Sequence, residues 1–593
     1  MLTTGVDLTD NTAGSDTYIA DNTAAAKQLT AADQIDGGDG VDTLKVYLAA
    51  ADTGTGQPSS MTSIENVWIN GGAIVAYTAA TGTTGLTVEA PVANTIATYT
   101  LAGQDLTLKS FATTAATTTT VAKAATGTQV AQKITLDGFG DTNAAAVSNT
   151  IDVTGTGIAT LNLVATGANS ETNLANSVGA AIKTINISGD KNLTLTESAA
   201  MAAAVTTVDA SKATGDVSLN TAAGAVSGSF KFTGGSGNDT VSFANNALAA
   251  LINGSQLNGG AGTGDKIGIL DAALDATETA RINQATGFEV LGLNAAISLD
   301  ASTLTSIKQF SIDTTGLAQT ISNLATGSTT TITAAAPASL TLGTSVGVSD
   351  TSIVLGNATT AGVTVAALVT TGITNVTLTS NGTAANAITA LTNSDNSLFT
   401  LKGAQDLTLT LAPGTAVGSK IDGSAATGKL TLTGSILTGS GDVIIGGTGD
   451  DIINGLSGAD TLTGGAGADT FTFTSTAAQN AGGATFGEAD VITDFVIGTD
   501  KLQFSTADIV SGQQGAVQTA VTALAAGSTA AQIATAMATA NTTSLGVSFA
   551  VFEGNTYVLY ETAGGSTGVA ADDVFIKLTG VTTLPTFAAD VIA

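Results

Sequence analysis

The sequence predicts an all-β chain built of elongated parallel β-solenoid or β-roll modules with glycine-rich nine-residue turns. Three observations lead there. A nine-residue phrase repeats in tandem between Gly446 and Phe473. Short segments alternate apolar and polar residues with period two, and no long amphipathic helix interrupts them. The composition is rich in Gly and in β-branched Thr, Val and Ile, with 71 glycines and only 5 prolines in 593 residues. An array of β-sandwich domains ending in a β-roll is the alternative, because strand spacing alone does not separate the two.

The phrase reads GGTGDDIIN (446–454), GLSGADTLT (455–463) and GGAGADTFT (464–472), or G-[G]-x-G-x-D-x-U-x with Ile453, Leu462 and Phe471 at U. Its glycines, among them Gly447, Gly449, Gly458, Gly465 and Gly467, allow positive φ in a tight turn. The last three residues are β-prone and send one apolar side chain inward per turn. A period of nine is too short for a helical repeat and fits a parallel β-roll. Stacked acids repel unless a cation sits between them. Asp451, Asp460 and Asp469 each supply a carboxylate, and glycine turns can aim carbonyls at the same place. This all-oxygen, adaptable donor set suits Ca²⁺ better than Mg²⁺ or Zn²⁺.

The phrase recurs in weaker form. GGDGVDTLK spans 37–45 with Asp42, GGSGNDTVS spans 234–242 with Asp239, and GGAGTGDKI spans 259–267 with one insertion and Asp265. TGSGDVI, 438–444, carries Asp442 with one deletion, and GSDTYI begins at Gly14. At Asp42, Asp239 and Asp265 two readings stand: a calcium ligand, or an acid in a simple tight turn.

Two longer duplications organise the rest. IDGGDGVDTLKV leads to SIENVWING (63–71), as LNGGAGTGDKIGIL leads to GFEVLGLNAA (287–296). NISGDKNLTLT (186–196) is echoed by TLKGAQDLTLT (400–410), with Ile187 and Leu401 lying 214 residues apart. These suggest an N-terminal module over 1–230, a second over 231–433 that partly duplicates it, a calcium-binding roll over 434–510 and a cap over 511–593. In the cap STAAQIATAMATAN predicts a short helix with Ser528 as N-cap, Asn541 at its end, and Ile533 and Met537 on one face.

Composition excludes many functions. With 17 basic against 47 acidic residues the formal charge is −30, so no basic stripe exists for nucleic acid or an anionic membrane. Cations are the favoured partners. There is no His and no Cys, which removes Ser-His-Asp and Cys-His catalysis, most zinc sites and disulfides. Paired-carboxylate hydrolysis remains conceivable, but no compact acidic-aromatic cluster supports it, and the single Trp, Trp68, poorly supplies a sugar-stacking cleft. No catalytic residue is identified. The opening residues show no cleavable signal pattern, and no apolar run is long enough to span a bilayer.

The nonads resemble the calcium-binding repeats of RTX proteins, which leave the cell by type I secretion. That resemblance implies one Ca²⁺ between adjacent turns with the sixth-position Asp as ligand. The D-x-I-x-D-F segment resembles the exit of RTX rolls, which implies that Asp490 and Asp494 complete the last ion site; surface turn acids are the other reading. The final residues, 572–593, are similar to uncleaved type I export signals. Acidic, Thr/Ala-rich composition with scattered nonads resembles RTX surface-layer proteins. This implies a secreted, cell-surface protein that self-assembles through Ca²⁺, with itself and a cell-surface polysaccharide as partners. A calcium-dependent filament, matrix protein or adhesin is the rival, since residues 1–230 carry no basic patch for an anionic anchor.

Overall fold

In the computed structural model the chain is described except at residues 6, 8–12, 51–59, 74–75, 91–96, 112–117, 125–129, 141–148, 176–181, 222–225, 253–255, 336, 345–349, 394–397, 413–419, 435–440, 474–488, 505–508, 562–568, 570–572 and 593. The first residues of the 438–444 copy, the middle of the roll's exit and the start of the final segment therefore lie outside the described residues. Two compact units are present, Met1–Gly292 and Leu293–Ala593.

In the first unit successive strands alternate between two parallel sheets. One begins with Thr17–Asn22, Thr43–Leu48, Asn66–Gly71 and Gly85–Glu89 and continues to Leu257–Asn258. The other runs from Ala76–Thr78 through Leu193–Glu197 to Lys266–Ile269. Side chains alternate across each strand, so a parallel, in-register ladder stacks like on like. Leu44, Val67, Leu86, Leu106, Ile134 and Leu163 form one such inward column, each at most 1% exposed. Burying each side chain contributes roughly 1.5–3 kcal/mol, and the coil repeats that contribution at every turn. Parallel pairing is the β-solenoid; a β-sandwich would pair its strands antiparallel.

The second unit has the same plan. Leu409, Leu432, Ile453, Phe471, Leu502 and Val591 stack on one sheet. Val376, Phe399, Ile421, Ile444, Leu462 and Ile492 stack on the other. Pairing continues through the points at which composition changes: Val208 pairs with Phe232, and Ile421 with Ile444.

The duplication is visible in the backbone. Strand Thr184–Gly189 pairs with Thr207–Ala213 with a register shift between Asn186 and Ser188. Strand Leu398–Gly403 pairs with Lys420–Ala426 with the same shift between Thr400 and Lys402.

The coil of the second unit ends differently from its middle. Helices Gln514–Thr522 and Ala530–Ala540 pack on the antiparallel strands Gly546–Phe552, Asn555–Glu561 and Val574–Leu578. Val517, Val521, Ile533, Met537, Leu559 and Phe575 are buried together there. Ile533 and Met537 are inward and Asn541 is the C-cap, as the sequence indicates. The N-cap is Thr529 rather than Ser528, because Thr529 and Gln532 close a reciprocal capping box. No described helix is long and apolar enough to cross a membrane.

Candidate metal centre

Each nonad of the roll is a glycine turn followed by a three- or four-residue strand: Val443–Ile445, Ile452–Asn454, Thr461–Thr463 and Thr470–Phe473. Two nonads make one coil, so sixth-position aspartates 18 residues apart lie one above the next. Asp442 donates its N–H to Oδ1 of Asp460 at 2.7 Å, and Asp460 donates to Oδ1 of Asp490 at 2.9 Å. On the opposite edge Asp451 donates to Asp469 at 2.8 Å, and Asp469 to Asp500 at 3.0 Å. The return bonds close each pair: the amides of Thr461, Thr470, Val491 and Lys501 donate to the carbonyls of Asp442, Asp451, Asp460 and Asp469, all at 2.8 Å. Every rung is a reciprocal clasp between coils, and the result is two carboxylate ladders.

Oδ1 is thereby committed to the backbone, while Oδ2 varies. In Asp451 it accepts from Gly447 at 2.5 Å, and in Asp500 from Val496 at 2.7 Å. In Asp460 it is buried and accepts no hydrogen bond; Oδ2 of Asp42 is in the same condition. Burial, with neighbouring carboxylates adding to it, raises Asp451, Asp460, Asp469, Asp490 and Asp500. Asp460 is pushed up to about 7 by burial and by Asp442. Asp469 reaches about 6 through burial and the charges of Asp451, Asp500 and Asp494. Asp490 is raised well above the usual carboxylate range by burial and by Asp460.

Glycine at the head of each nonad makes room beside these oxygens. A Cβ on Gly455 would collide with Asp460 Oδ2. One on Gly446 would lie 2.6 Å from Asp451 Oδ2 and strike the carbonyl of Gly464 in the next coil. One on Gly434 would lie 3.0 Å from Asp442 Oδ2 and strike the carbonyl of Gly455. The positions beside Gly434 and Gly446 therefore lie between a carboxylate oxygen and a carbonyl oxygen from the next coil, both acceptors. A hard divalent cation fits that donor set. Among the described residues no three acidic side chains converge into a side-chain cage. The clasp explains this, since it spaces successive carboxylates one coil apart, about 4.8 Å, and leaves backbone carbonyls to supply the remaining oxygens.

The expected glycines divide into two kinds. Gly458, Gly465 and Gly467 have φ of +133°, +101° and +135°. Gly447 and Gly449 are not at positive φ, contrary to the expectation for them; they are glycines because a Cβ would lie 2.5 Å from the Ala426 carbonyl or 2.9 Å from Lys429 Cα.

Asp490 stands in the ladder. Asp494 does not, and instead accepts from Gly464 and Gly465 at 2.9 and 2.8 Å, bracing the turn of the third nonad. Asp42 clasps Asp16, whose N–H donates to its Oδ1 at 2.6 Å, and Asp239 receives Val217 N–H at 2.7 Å. Asp265 receives Asp239 N–H at 2.6 Å.

Several ladder members are not evident from the strict motif. Asp33 clasps Asp7 at 2.9 Å and lies nine residues before Asp42, a spacing that could have found it. Asp500 sits sixth in FVIGTDKLQ, with Leu502 eighth. Glu65 and Glu289 accept the amides of Asp42 and Asp265 at 2.7 and 3.0 Å. They are the acids of SIENVWING and GFEVLGLNAA, so the first duplication marks where a longer acid takes over the rung.

A family model described as RTX calcium-binding nonapeptide repeat, in four copies, matches residues 30–45 and 438–471. No curated protein matches the chain. RTX nonapeptide repeats bind calcium, so Ca²⁺ is the cofactor of these turns, and over these two segments the chain is of RTX type.

Proposed function

We propose that the chain is a non-enzymatic, extracellular structural protein that self-assembles through Ca²⁺ into a surface layer on a bacterial cell. The observation that carries this reading is the buried, unpartnered Oδ2 of Asp460 within one of two carboxylate ladders. It describes a coil whose acids oppose closure until a cation is supplied. Asp442, Asp451, Asp460, Asp469, Asp490 and Asp500 hold the ions with carbonyls of the glycine turns, and Asp494 braces the last turn. Asp42, Asp239 and Asp265 belong to further sites of the same kind. Bound Ca²⁺ supplies positive charge that offsets carboxylate repulsion, and nothing more is asked of it.

The same charge logic extends to assembly. A subunit of charge −30 repels its copies, and divalent ions that neutralise acidic turns permit close packing. In this reading residues 1–230 and 231–433 form the structural modules, 434–510 the roll, and 511–593 a cap carrying an uncleaved type I export signal. Electron microscopy of the purified chain tests it: ordered sheets should form on adding Ca²⁺ and disperse with chelator. Monodisperse particles at millimolar Ca²⁺ would remove the surface-layer reading.

An adhesin-like role for the first unit rests on a separate observation. Trp68 and Tyr47 meet edge-on at 5.1 Å on the outward side of their strands, with Tyr47 37% exposed. A cell-surface polysaccharide is the partner this pair suits. Loss of binding to purified envelope polysaccharide in Trp68→Ala, with Ca²⁺ binding unchanged, would support it; unchanged retention would exclude it.

A further inference from the structure

One buried acidic pair of the first unit belongs to no glycine turn. The stretch DAALDATE, 271–278, follows strand Lys266–Ile269 and opens the helix Ala276–Gln284. It carries none of the glycines of the nine-residue phrase and lies outside both segments matched by the repeat family. Asp271 and Glu278 are each 1% exposed, and one oxygen of each is committed to the backbone. Asp271 Oδ1 accepts the amide of Asn246, in the preceding coil, at 2.6 Å. Glu278 Oε2 accepts the amide of Asp275 at 3.0 Å. That bond closes a capping box in which Asp275 Oδ1 takes the amides of Thr277 and Glu278 at 2.7 and 2.8 Å.

The other oxygens, Asp271 Oδ2 and Glu278 Oε1, are buried and take no hydrogen bond from any donor among the described residues. The two carboxyl groups meet each other instead. Glu278 is raised first by burial and then by the charges of Asp271 and Asp275 and by its contact with Asp271. The charges that act on it are thus both negative, while Arg281, one turn along the helix, extends to Gln284 Oε1 at 3.3 Å. Asp590 shows how the chain satisfies a buried carboxylate with protein alone. It is 0% exposed, and its Oδ1 and Oδ2 accept the amides of Gly498 and Thr586, both at 2.6 Å. Where Asp590 meets a second donor, Asp271 and Glu278 set acceptor against acceptor. A cation or a shared proton reconciles two buried carboxylates in contact. A proton leaves one negative charge on the pair beside that of Asp275, whereas a divalent cation removes two. Asp275 is exposed, so the pair is approached from solvent on that side.

We infer that Asp271 Oδ2 and Glu278 Oε1 form a site for a hard divalent cation of the Ca²⁺ class, which ties the helix Ala276–Gln284 to the preceding coil. Asp271 is anchored to that coil through Asn246, and Glu278 to the head of the helix through its capping box, so an ion between them joins the two. Asp275 adds negative charge at the rim, its Oδ1 being spent on the helix amides. Water completes the coordination, which the variable ligand number of Ca²⁺ allows. In the roll the acids recur at one position of successive turns; here both come from a single stretch and neither stands in the series Asp239, Asp265, Glu289.

Equilibrium dialysis with Ca²⁺ and amide exchange of the full chain test the site together. Asp271→Asn keeps an oxygen for the Asn246 amide, and Glu278→Gln keeps one for the Asp275 amide. Each also places an NH₂ donor against the remaining carboxylate, so both variants should fold. Each should bind one Ca²⁺ fewer per chain than the unaltered protein. In the unaltered chain Ca²⁺ should slow exchange in 276–284 by about a hundredfold at a free concentration about one hundred times the dissociation constant. Both variants should lose that gain and keep the one in the described parts of 438–504. Equal ion counts in all three chains, or Ca²⁺ protection of 276–284 that persists in both variants, overturns the site. Protection of 276–284 that follows pH and ignores Ca²⁺ assigns a shared proton to the pair and overturns it equally. The calcium reading of the roll is judged separately, on 438–504.

Discussion

Asp442 donates its amide to one oxygen of Asp460 at 2.7 Å, and the other oxygen of Asp460 is buried without a donor. The two oxygens of one side chain thus have separate tasks. Oδ1 fixes the register of adjacent coils, and Oδ2 is held where an ion is required. A buried acceptor left unsatisfied costs about 1–3 kcal/mol, more when charged, so the ion-free roll is held short of its full stability.

Replacing Asp460 separates the tasks. Asp460→Asn keeps an acceptor for the Asp442 amide and loses the anionic ligand; Asp460→Ala loses both. Calcium-induced gain of β structure should fall in both variants. In chelator the Ala variant should be less stable than the Asn variant by about 1–3 kcal/mol. Urea titrations followed by circular dichroism check this; equal stabilities would show that the clasp carries no weight.

Gly455→Ala inserts a methyl where Asp460 Oδ2 lies. Calcium affinity should drop at least tenfold, since a shift of only about 1.4 kcal/mol suffices for that. Gly515 lies in the helix Gln514–Thr522 with nothing within 4 Å of its built Cβ. Gly515→Ala should instead stabilise the cap by up to about 1 kcal/mol and leave calcium binding unchanged. Titration calorimetry and thermal unfolding of the two variants provide the comparison.

Ladder protonation links calcium to pH. Without an ion, Asp460 titrates near 7 and Asp469 near 6, mainly because burial disfavours the charged form. Both values are raised over the usual 3.8, so in the ion-free chain their contribution is fully present below about pH 4 and is lost as pH rises through 6 and 7. Chelator-treated protein should be more stable at pH 5 than at pH 7.5, and Ca²⁺ should reverse that order. Binding near pH 6.5 should release protons, which calorimetry in buffers of different ionisation enthalpy measures directly.

Glu197 gives a pH effect independent of calcium. It ends the strand Leu193–Glu197 pointing inward, is 1% exposed, and neither oxygen has a hydrogen-bond partner. Burial pushes it up to about 8. The native state therefore holds this proton more tightly than the unfolded chain. Stability should fall between about pH 4.5 and 8 with a slope approaching 1.4 kcal/mol per unit. Glu197→Gln should remove that component, and denaturant midpoints across the range would reveal it. An unchanged slope would place its origin elsewhere.

Much of the metal centre is legible from nine-residue spacing. Asp451, Asp460 and Asp469 sit at the same place in consecutive phrases, and side chains at one place in a parallel coil must stack. Asp494 is acidic and adjacent, yet braces a turn; the pairing of Leu462 with Ile492 is what puts Asp490 rather than Asp494 onto the rung. Glu65, Glu289 and Asp500 escape the strict motif because their turns lack its leading glycines, and a clasp requires only an oxygen at the right height. Thr529 displaces Ser528 as a cap by one residue, since either hydroxyl serves the helix and only Thr529 has Gln532 three places on.

By itself the sequence determined the all-β class, the coil of the tandem nonads and the hard-cation chemistry, while parallel pairing over the rest, against an array of β-sandwiches, is the structure's. Period two and period nine are local properties that survive in any stacking order, and with neither His nor Cys the ionisable ligands are the acids. Tertiary structure decided which acids face one another, which oxygen each commits to the backbone, and which is left for an ion. Those depend on the number of residues each coil consumes, 18 between Asp442 and Asp460 but 30 between Asp460 and Asp490. The clasp asks only for an oxygen at the right height, so a coil can lengthen without breaking it, and no repeat in the sequence records the longer spacing.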